Sequence, residues 1–525
     1  MSLFLSTVLN GNTLNGNYQI AVAVLCGCRS SPPYFKEGCP QDGVVPLPET
    51  MDYGLWTIDS FPTFAPLQKP TPMFTPTDIL QSLNSSGAKK VKLAVTDIDG
   101  ILRGKVVSLE KFLGIAEKGF GFCDVVFGWD SHDLAYDNAT YTGWHTGYPD
   151  AQAVVDFNTF RKIPWENNMP FFLADFRKND GSELEISPRN LLKKIIAQAD
   201  KQGYNAYFAQ EFEWFNFAEN AATLEEKKFR NPQHLTPGMF GYSVLRASQN
   251  SAFFNDIFDQ LAKFNVPIEG LHTETGPGVY EAAILYSNTL EAADRAVLFK
   301  TGVKEIAHRH NIMATFMAKF SENLPGCSGH VHQSLWDKTK KKNLFHDAKT
   351  KTGMSSMMES YIAGQLHCLP FILPMYAPTI NSYKRLVVGA WAPTTLTWAV
   401  DNRTTALRAL PTGEKSTRLE TRVVGSDSNP YLAMAACLAS GLYGIKKKLK
   451  LKTPQTIGSG YADTKNGTLP RTLAEATEAM KTSNLSEELF GKEFVKHFVQ
   501  TREWEWRQYS KAVTDWELKR YFEII

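Results

Sequence analysis

Glu211-Phe212-Glu213 constrains this chain more than any other stretch. It follows an apolar strand, Tyr204 to Phe208, and at the strand period of two both carboxylates point to the same side of a sheet. Carboxylates side by side repel and destabilise a sheet unless a cation or a proton sits between them. A solvated strand face would relieve them, but the bulky flanks Phe212, Trp214, Phe215 and Phe217 argue against one.

Four further elements carry chemistry. Glu274-Thr275-Gly276-Pro277-Gly278-Val279-Tyr280-Glu281 sets a stiff, close-approach turn between two carboxylates. In Gly326-Cys327-Ser328-Gly329-His330-Val331-His332-Gln333-Ser334, the residues His330, His332 and Ser334 alternate along one strand face. Two histidines at that spacing read as ligands or as structural residues. Arg418-Leu419-Glu420-Thr421-Arg422 places Glu420 between two arginines on one face. Asn381-Ser382-Tyr383-Lys384-Arg385 is followed by Asp401-Asn402-Arg403 and Arg408. Arginines converging with carboxylates suit recognition of phosphate and carboxylate, which the planar fork binds bidentately.

Composition narrows the class. With 43% apolar and 21% charged residues the chain is globular, not disordered. A net charge of +2 gives no electrostatic reason to bind nucleic acid. Lys338–Lys342 and Lys446–Lys452 read as solvated loops or helix ends. No stretch reaches the ~18 apolar residues of a spanning helix; Ile20 to Cys28 is short and broken by Gly27. The first 28 residues hold no Lys or Arg, as neither a signal nor a transit peptide would, so a cytoplasmic location is expected. Seven scattered cysteines do not make a disulfide framework. Cys26, Cys28 and Cys39 would make only an incomplete metal knuckle.

Residues 1–75, rich in Gly, Asn, Ser and Pro, read as a flexible extension. Thr75-Pro76-Thr77-Asp78 opens a helix. Val91–Val95 and Leu102–Val107 form a hairpin around Asp97-Ile98-Asp99-Gly100, beginning a small β-rich domain at 88–182. Ser187-Pro188 starts a helix striped by Leu191, Leu192, Ile195, Ile196 and Ala199, and a second domain over 187–525. Helices are also expected over 255–264, 292–308, 355–368 and 430–446. His145, in Trp144-His145-Thr146-Gly147, reads as packing a turn.

The inventory is five Glu, one or two His and several Arg. Oxygen-rich donors with an imidazole suit Mg²⁺ or Mn²⁺. Such ions flanked by arginine suit phosphoryl transfer to a carboxylate, which points to a nucleotide-dependent ligase or kinase.

The motifs, in this order, resemble the class I glutamine synthetase family from about residue 90 to 525. The resemblance implies an α+β fold, an N-terminal β-grasp domain followed by a glutamine synthetase-type catalytic domain. It implies homo-oligomeric rings, commonly dodecamers, with active sites between subunits. The chemistry would be ATP phosphorylation of the glutamate γ-carboxylate, then attack by an amine. By motif, Glu213, Glu274 and Glu281 resemble the ligands of a first Mg²⁺ or Mn²⁺, and Glu211, His330 and Glu420 those of a second. Gly326, Glu274, Arg385 and Arg422 resemble the glutamate contacts, and the resemblance implies catalytic roles for Glu281, Asp124 and Trp391 beside Arg403. Arg403 resembles the arginine that stabilises the moving phosphoryl group. Arg408, Lys415 and Arg418 resemble nucleotide-phosphate contacts; His332 and Ser334 resemble residues lining the ATP pocket.

Two departures bear on the acceptor. Trp391 stands where glutamine synthetases carry the Glu that closes the ammonium site, and an indole offers only a π face. The strand Gly121–Phe127 places Asp124 about one residue from the family's ammonium-site Asp, which on a strand reverses the face; Asp130 or Asp133 would be substitutes. This pattern is similar to the γ-glutamylpolyamine branch and implies a larger primary amine over ammonia. Pro325 also departs from the usual Asn. The alternative is a catalytically inert protein like lengsin, which keeps the fold and oligomer but not the metal ligands.

Overall fold

The computed structural model describes residues 75–178 and 180–525. The extension expected over 1–75, apart from Thr75 itself, and the Cys26, Cys28 and Cys39 knuckle lie outside the described residues. Thr75 caps the helix Pro76–Ser85 through a reciprocal box with Asp78. The expected hairpin follows, β1 (Lys90–Thr96) against β2 (Leu102–Ser108), antiparallel from Lys90↔Ser108 to Thr96↔Leu102. Asp97 closes its turn by accepting from the amides of Asp99 and Ile101 at 3.0 and 2.9 Å.

With β3 (Phe120–Cys123), β4 (Asp150–Val155), β5 (Arg161–Ile163) and β6 (Met169–Arg177), these strands form a sheet in the order β2-β1-β6-β4-β3, with β5 on β6. Only β1 and β6 run parallel. Ile79, Leu83, Phe112 and Phe172 pack in the core between this sheet and its helices. One expectation fails here. The strand expected to run through Phe127 stops at Cys123, and Asp124–Phe127 is a 3₁₀ turn. The Asp124 amide bonds the Pro149 carbonyl and its carboxylate accepts from the Thr142 hydroxyl at 2.6 Å, so Val126 and Phe127 swing into the core.

The helix Pro188–Lys201 begins at Ser187-Pro188 as expected and buries Leu191, Leu192, Ile195 and Ala199. A nine-stranded sheet follows: β7 (Asn205–Phe217), β8 (Ile268–Thr273), β9 (Val279–Ile284), β10 (Ser287–Asn288), β11 (Met313–Thr315), β12 (Gly329–Trp336), β13 (Trp398–Val400), β14 (Leu407–Leu410) and β15 (Arg418–Thr421). Its order is β13-β14-β15-β12-β7-β9-β8, with β10 and β11 also on β7. β7 is much longer than the expected Tyr204–Phe208, and Glu211 and Glu213 lie inside it. Alternation explains its two faces. Phe208, Gln210, Phe212 and Trp214 point into the core, whereas Tyr207, Ala209, Glu211 and Glu213 are only half-buried or lie on the opposite face.

Behind the sheet packs Thr289–Arg309, which buries Ala292, Ala293, Ala296 and Phe299. The helices Ser356–Ile372 and Pro430–Lys446 touch backbone to backbone. A Cβ on Gly364 would meet the Ser440 oxygen at 2.3 Å and Gly444 Cα at 2.6 Å, so only glycine fits. The basic runs fall in the turn after β12 and at the end of the helix Pro430–Lys446, as expected. Exposed His145 sits 3.3 Å from the Thr140 carbonyl within its own turn. Among the described residues no helix is long and apolar enough to cross a membrane.

Buried charge joins the first sheet to the helices packed behind the second. Arg189 donates to both oxygens of Asp294 at 2.8 Å, to Asp175 at 2.7 Å and to Asp156 at 2.9 Å. The Tyr431 hydroxyl closes the network on Asp294 at 2.6 Å.

Candidate active site

The sheet register brings the scattered carboxylates together. Glu213 pairs with Glu281 across β7 and β9, and His330 with Glu211 across β12 and β7. His332 pairs with Glu420 across β12 and β15, and Glu420 with Arg408 across β15 and β14. His330 Nδ1 lies 3.5 Å from Glu211 and 3.4 Å from Glu420; His332 Nε2 lies 3.4 Å from Glu211. Glu274, in the turn before β9, joins them from the far side. His272 Nε2 stands 3.7 Å from both Glu274 and Glu281, and these three offer donor atoms within 4.8 Å of one another.

His272 is a site residue the sequence reading missed. Its signal was there: His272-x-Glu274 before a Gly-rich turn has the same two-residue spacing as His330-x-His332. The Tyr242 ring stacks on it, centroids 4.6 Å apart and nearly parallel.

Arginines ring the carboxylates. Arg408 bonds Glu420 at 2.9 Å and also holds Asp401; Arg422 pairs with the other oxygen of Glu420. Arg418 donates to His332 at 3.3 Å. Buried Arg385 donates to the carbonyls of Val423 and Arg422 at 3.0 and 3.1 Å. Gly326 lies against it: a Cβ there would meet Arg385 Cγ at 2.8 Å. Exposed Arg403 lines an open pocket of about 590 Å³ with Trp391, Asp401, Asn402 and Arg408. Trp391 is 61% exposed and takes φ +56°, a conformation rare for an aromatic residue. Ser334 lies on the β12 face of the histidines and accepts from Trp336 at 3.0 Å; Lys415 sits exposed on the turn before β15.

Comparison with known proteins places this geometry. Residues 185–521 match the family "Glutamine synthetase, catalytic domain". The chain belongs to the glutamine synthetase family. It is 54% identical to Type-1 glutamine synthetase 2 of Dictyostelium discoideum over 85% of this chain and 86% of that protein. It is 37% identical to glutamate–isopropylamine ligase of a Pseudomonas species, over 83% and 95% of the two chains. Its fold matches the solved GmaS/ADP complex with a TM-score of 0.74 at 25% identity, covering 85% of this chain and 99% of that one. The protein is accordingly a ligase of this family, with a mixed α/β catalytic domain.

Enzymes of this family generally use ATP and divalent metal ions, and the donor set fits such ions. Burial, followed by repulsion from Glu211 and a hydrogen bond shared with it, pushes Glu281 up to about 12. Without a cation, one proton must therefore stay in the cluster. Burial also works to raise Glu211, but His330, His332 and Glu281 beside it hold it well below the usual range. Burial raises Glu213 against the Ser328 amide, which donates to it at 2.6 Å, and against Arg385. For Glu420 burial is outweighed by Arg422 and the two histidines, which bring it to about 2. Burial and then Arg422 lower His330 to about 4, keeping its imidazole neutral as a ligand requires. The Nε2 atoms of His272, His330 and His332 and one oxygen of Glu274 are buried without a hydrogen bond among the described residues. Divalent ions would answer both the repulsion and the orphaned donors.

The expected acceptor-side carboxylates do not join this cluster within the chain. Asp124 is buried against Thr142, Asp130 accepts from the Trp504 indole at 2.9 Å, and Asp133 pairs with Arg103 at 2.8 Å. Asp124 lies in a 3₁₀ turn and not on a strand, so strand alternation does not set which way it faces.

Proposed function

We propose that this ligase activates the γ-carboxylate of glutamate as γ-glutamyl phosphate with ATP, and amidates it with a primary amine larger than ammonia, such as a polyamine. Glu213, Glu274 and Glu281 would hold one Mg²⁺ or Mn²⁺, and Glu211, His330 and Glu420 a second, with His272 beside the first. Bound there, the ions would neutralise charge on the phosphoryl group in transit. Arg385, Arg422 and Gly326 bind and orient glutamate. Arg403, without an ion pair among the described residues, stabilises the phosphoryl oxygens in the transition state. Arg408, Arg418, Lys415, His332 and Ser334 face the nucleotide.

One observation carries the acceptor assignment: Trp391 lines the pocket beside Arg403, and the pocket's carboxylate, Asp401, is already held by Arg408. An ammonium ion needs negative charge around it, whereas an indole face serves a longer amine that brings its own apolar surface. The names of the isopropylamine ligase and of the 36% identical γ-glutamylethanolamide synthetase of Streptomyces coelicolor support this reading. Ammonia is the rival acceptor, and the name of the Dictyostelium relative favours it.

The residues 88–182 are read as a β-grasp domain and 187–525 as the catalytic domain of a cytoplasmic homo-oligomer. There Asp124, Asp130 or Asp133 would serve a neighbour's site. Phosphate release with glutamate, ATP and Mg²⁺ against a panel of amines tests the proposal. A polyamine or alkylamine with the highest kcat/KM supports it; ammonia as the best acceptor overturns it.

A further inference from the structure

Arg385, read above as a glutamate contact, ends a helix too short to hold itself. That helix, Ile380–Arg385, has six residues, of which Ser382 and Arg385 are buried. A helix of this length does not persist alone in water, so its place is set by what grips it. Its start is a reciprocal cap: the Ser382 amide donates to Thr379 Oγ1 and the Thr379 amide to Ser382 Oγ, each at 3.1 Å. Each hydroxyl keeps one proton to give, and both reach the same atom. Asp427 Oδ2 accepts from Thr379 at 2.8 Å and from Ser382 at 2.6 Å.

Asp427 closes this cap from the stretch that also holds the far end of Arg385. The guanidinium donates to the carbonyls of Val423 and Arg422, and Asp427 follows a few residues later. The same stretch is fixed to the metal-side strand. The Ser426 hydroxyl donates to the Glu213 carbonyl at 2.6 Å, and the Ser426 amide to the Cys327 carbonyl at 3.1 Å. Gly425 gives the carboxylate its room, since a Cβ there would come within 2.4 Å of Asp427 Oδ1. On the other side Asn381 exchanges two bonds with the main chain of Lys319, both at 2.8 Å, which sets the helix against the loop leading to Gly326. Root and tip of Arg385 are thus tied to one backbone segment, and Asp427 is the tie at the root.

We propose that Asp427 is a positioning residue for glutamate binding: by completing the cap of Ile380–Arg385 it fixes where Arg385 presents its guanidinium to the substrate carboxylate. The proposal rests on the ligase reading above. It adds to that reading a residue that touches no substrate and acts through Arg385. A displacement of about 1 Å in a group that holds the substrate is enough to weaken its grip strongly.

The test is steady-state kinetics of the full chain with glutamate, ATP, Mg²⁺ and the best acceptor amine, wild type against Asp427→Ala and Asp427→Asn. Absence of wild-type turnover overturns the ligase reading, and this inference with it. Asp427→Ala should raise KM for glutamate about tenfold and leave KM for ATP within about twofold. Asp427→Asn keeps an oxygen for both hydroxyls and should bring KM for glutamate back to within about threefold of wild type. In an Arg385→Ala background, Asp427→Ala should add less than about twofold, because the one acts through the other. Where Asp427→Ala yields no folded protein, Ser382→Ala, which removes one of the two donors, replaces it with an expected rise of about threefold. With an active wild type, an unchanged KM for glutamate overturns this proposal alone. So do KM values for glutamate and ATP that rise together, an Asn variant as impaired as the Ala variant, or a full further loss in the Arg385→Ala background.

Discussion

Two clusters of enclosed charge sit in this molecule, and they are built in opposite ways. Around Arg189, three aspartates engage all three guanidinium nitrogens and the Tyr431 hydroxyl joins them, at 2.6 to 2.9 Å. Around Glu281, four glutamates face one another, and three imidazole nitrogens and a carboxylate oxygen lack partners among the described residues. The first is complete as it stands and joins the first sheet to the helices behind the second. The second is incomplete, and Arg408 links it to the open pocket that Arg403 lines. Charge that serves the fold closes its own hydrogen bonds, whereas charge that serves chemistry leaves donors for something that arrives.

The sharpest way to break this contrast is to cut each cluster once. Glu281→Ala should lower turnover by at least about 10³-fold, because a proposed metal ligand is lost. The metal-free protein should keep its Tm, since the change removes repulsion and no core packing. Retained activity would count against the role assigned to Glu281. Arg189→Ala should do the reverse. It strands Asp156, Asp175 and Asp294 and should destabilise by about 3–5 kcal/mol, read as a large fall in Tm or insoluble protein. A stable Arg189→Ala protein would show that the aspartates find other partners.

Arg385 stands between the two types. It is bonded to two carbonyls yet faces Glu213, the proposed metal ligand. Arg385→Ala should raise KM for glutamate about 30-fold by removing a charged partner. An unchanged KM would put the carboxylate clamp elsewhere.

Much of this was legible beforehand because alternation along strands is local. The i, i+2 spacing of Glu211 with Glu213 and of His330 with His332 announced one shared face, and the helix Pro430–Lys446 falls where its pattern placed it. What escaped depends on distant partners. Arg189 looked like an ordinary residue in a first helical turn, and its hub became visible only with Asp294 across 105 positions. Asp124 follows a strand-like run, yet a bond to Thr142 and a 3₁₀ turn end the strand one residue earlier. His272 was passed over because a single imidazole in a strand carries little signal until Glu281 is paired beside it.

The smallest effect concerns Lys300, behind the sheet. Its ammonium donates to the Ser428 carbonyl at 3.0 Å and lies 5.7 Å from the Phe212 ring. Burial, with Lys304 adding repulsion, lowers it to about 7. Between about 7 and the usual 10.5 the unfolded chain holds the proton more tightly, so stability should rise with pH across that window. Lys300→Met should remove that slope and add about 1 kcal/mol at neutral pH, seen in denaturant titrations at several pH values. An identical slope in the variant would mean that the amine is solvated.

The central claim is that Glu211, Glu213, Glu274, Glu281, His330 and Glu420 form a cage that divalent ions complete. Titrating the metal-free full chain with Mn²⁺ by calorimetry tests it directly. The account predicts saturable uptake of two ions per chain, a raised Tm on binding, and loss of one of the two ions in Glu281→Ala. No Mn²⁺ uptake by the wild-type chain would contradict it and turn attention to an inert, structural role.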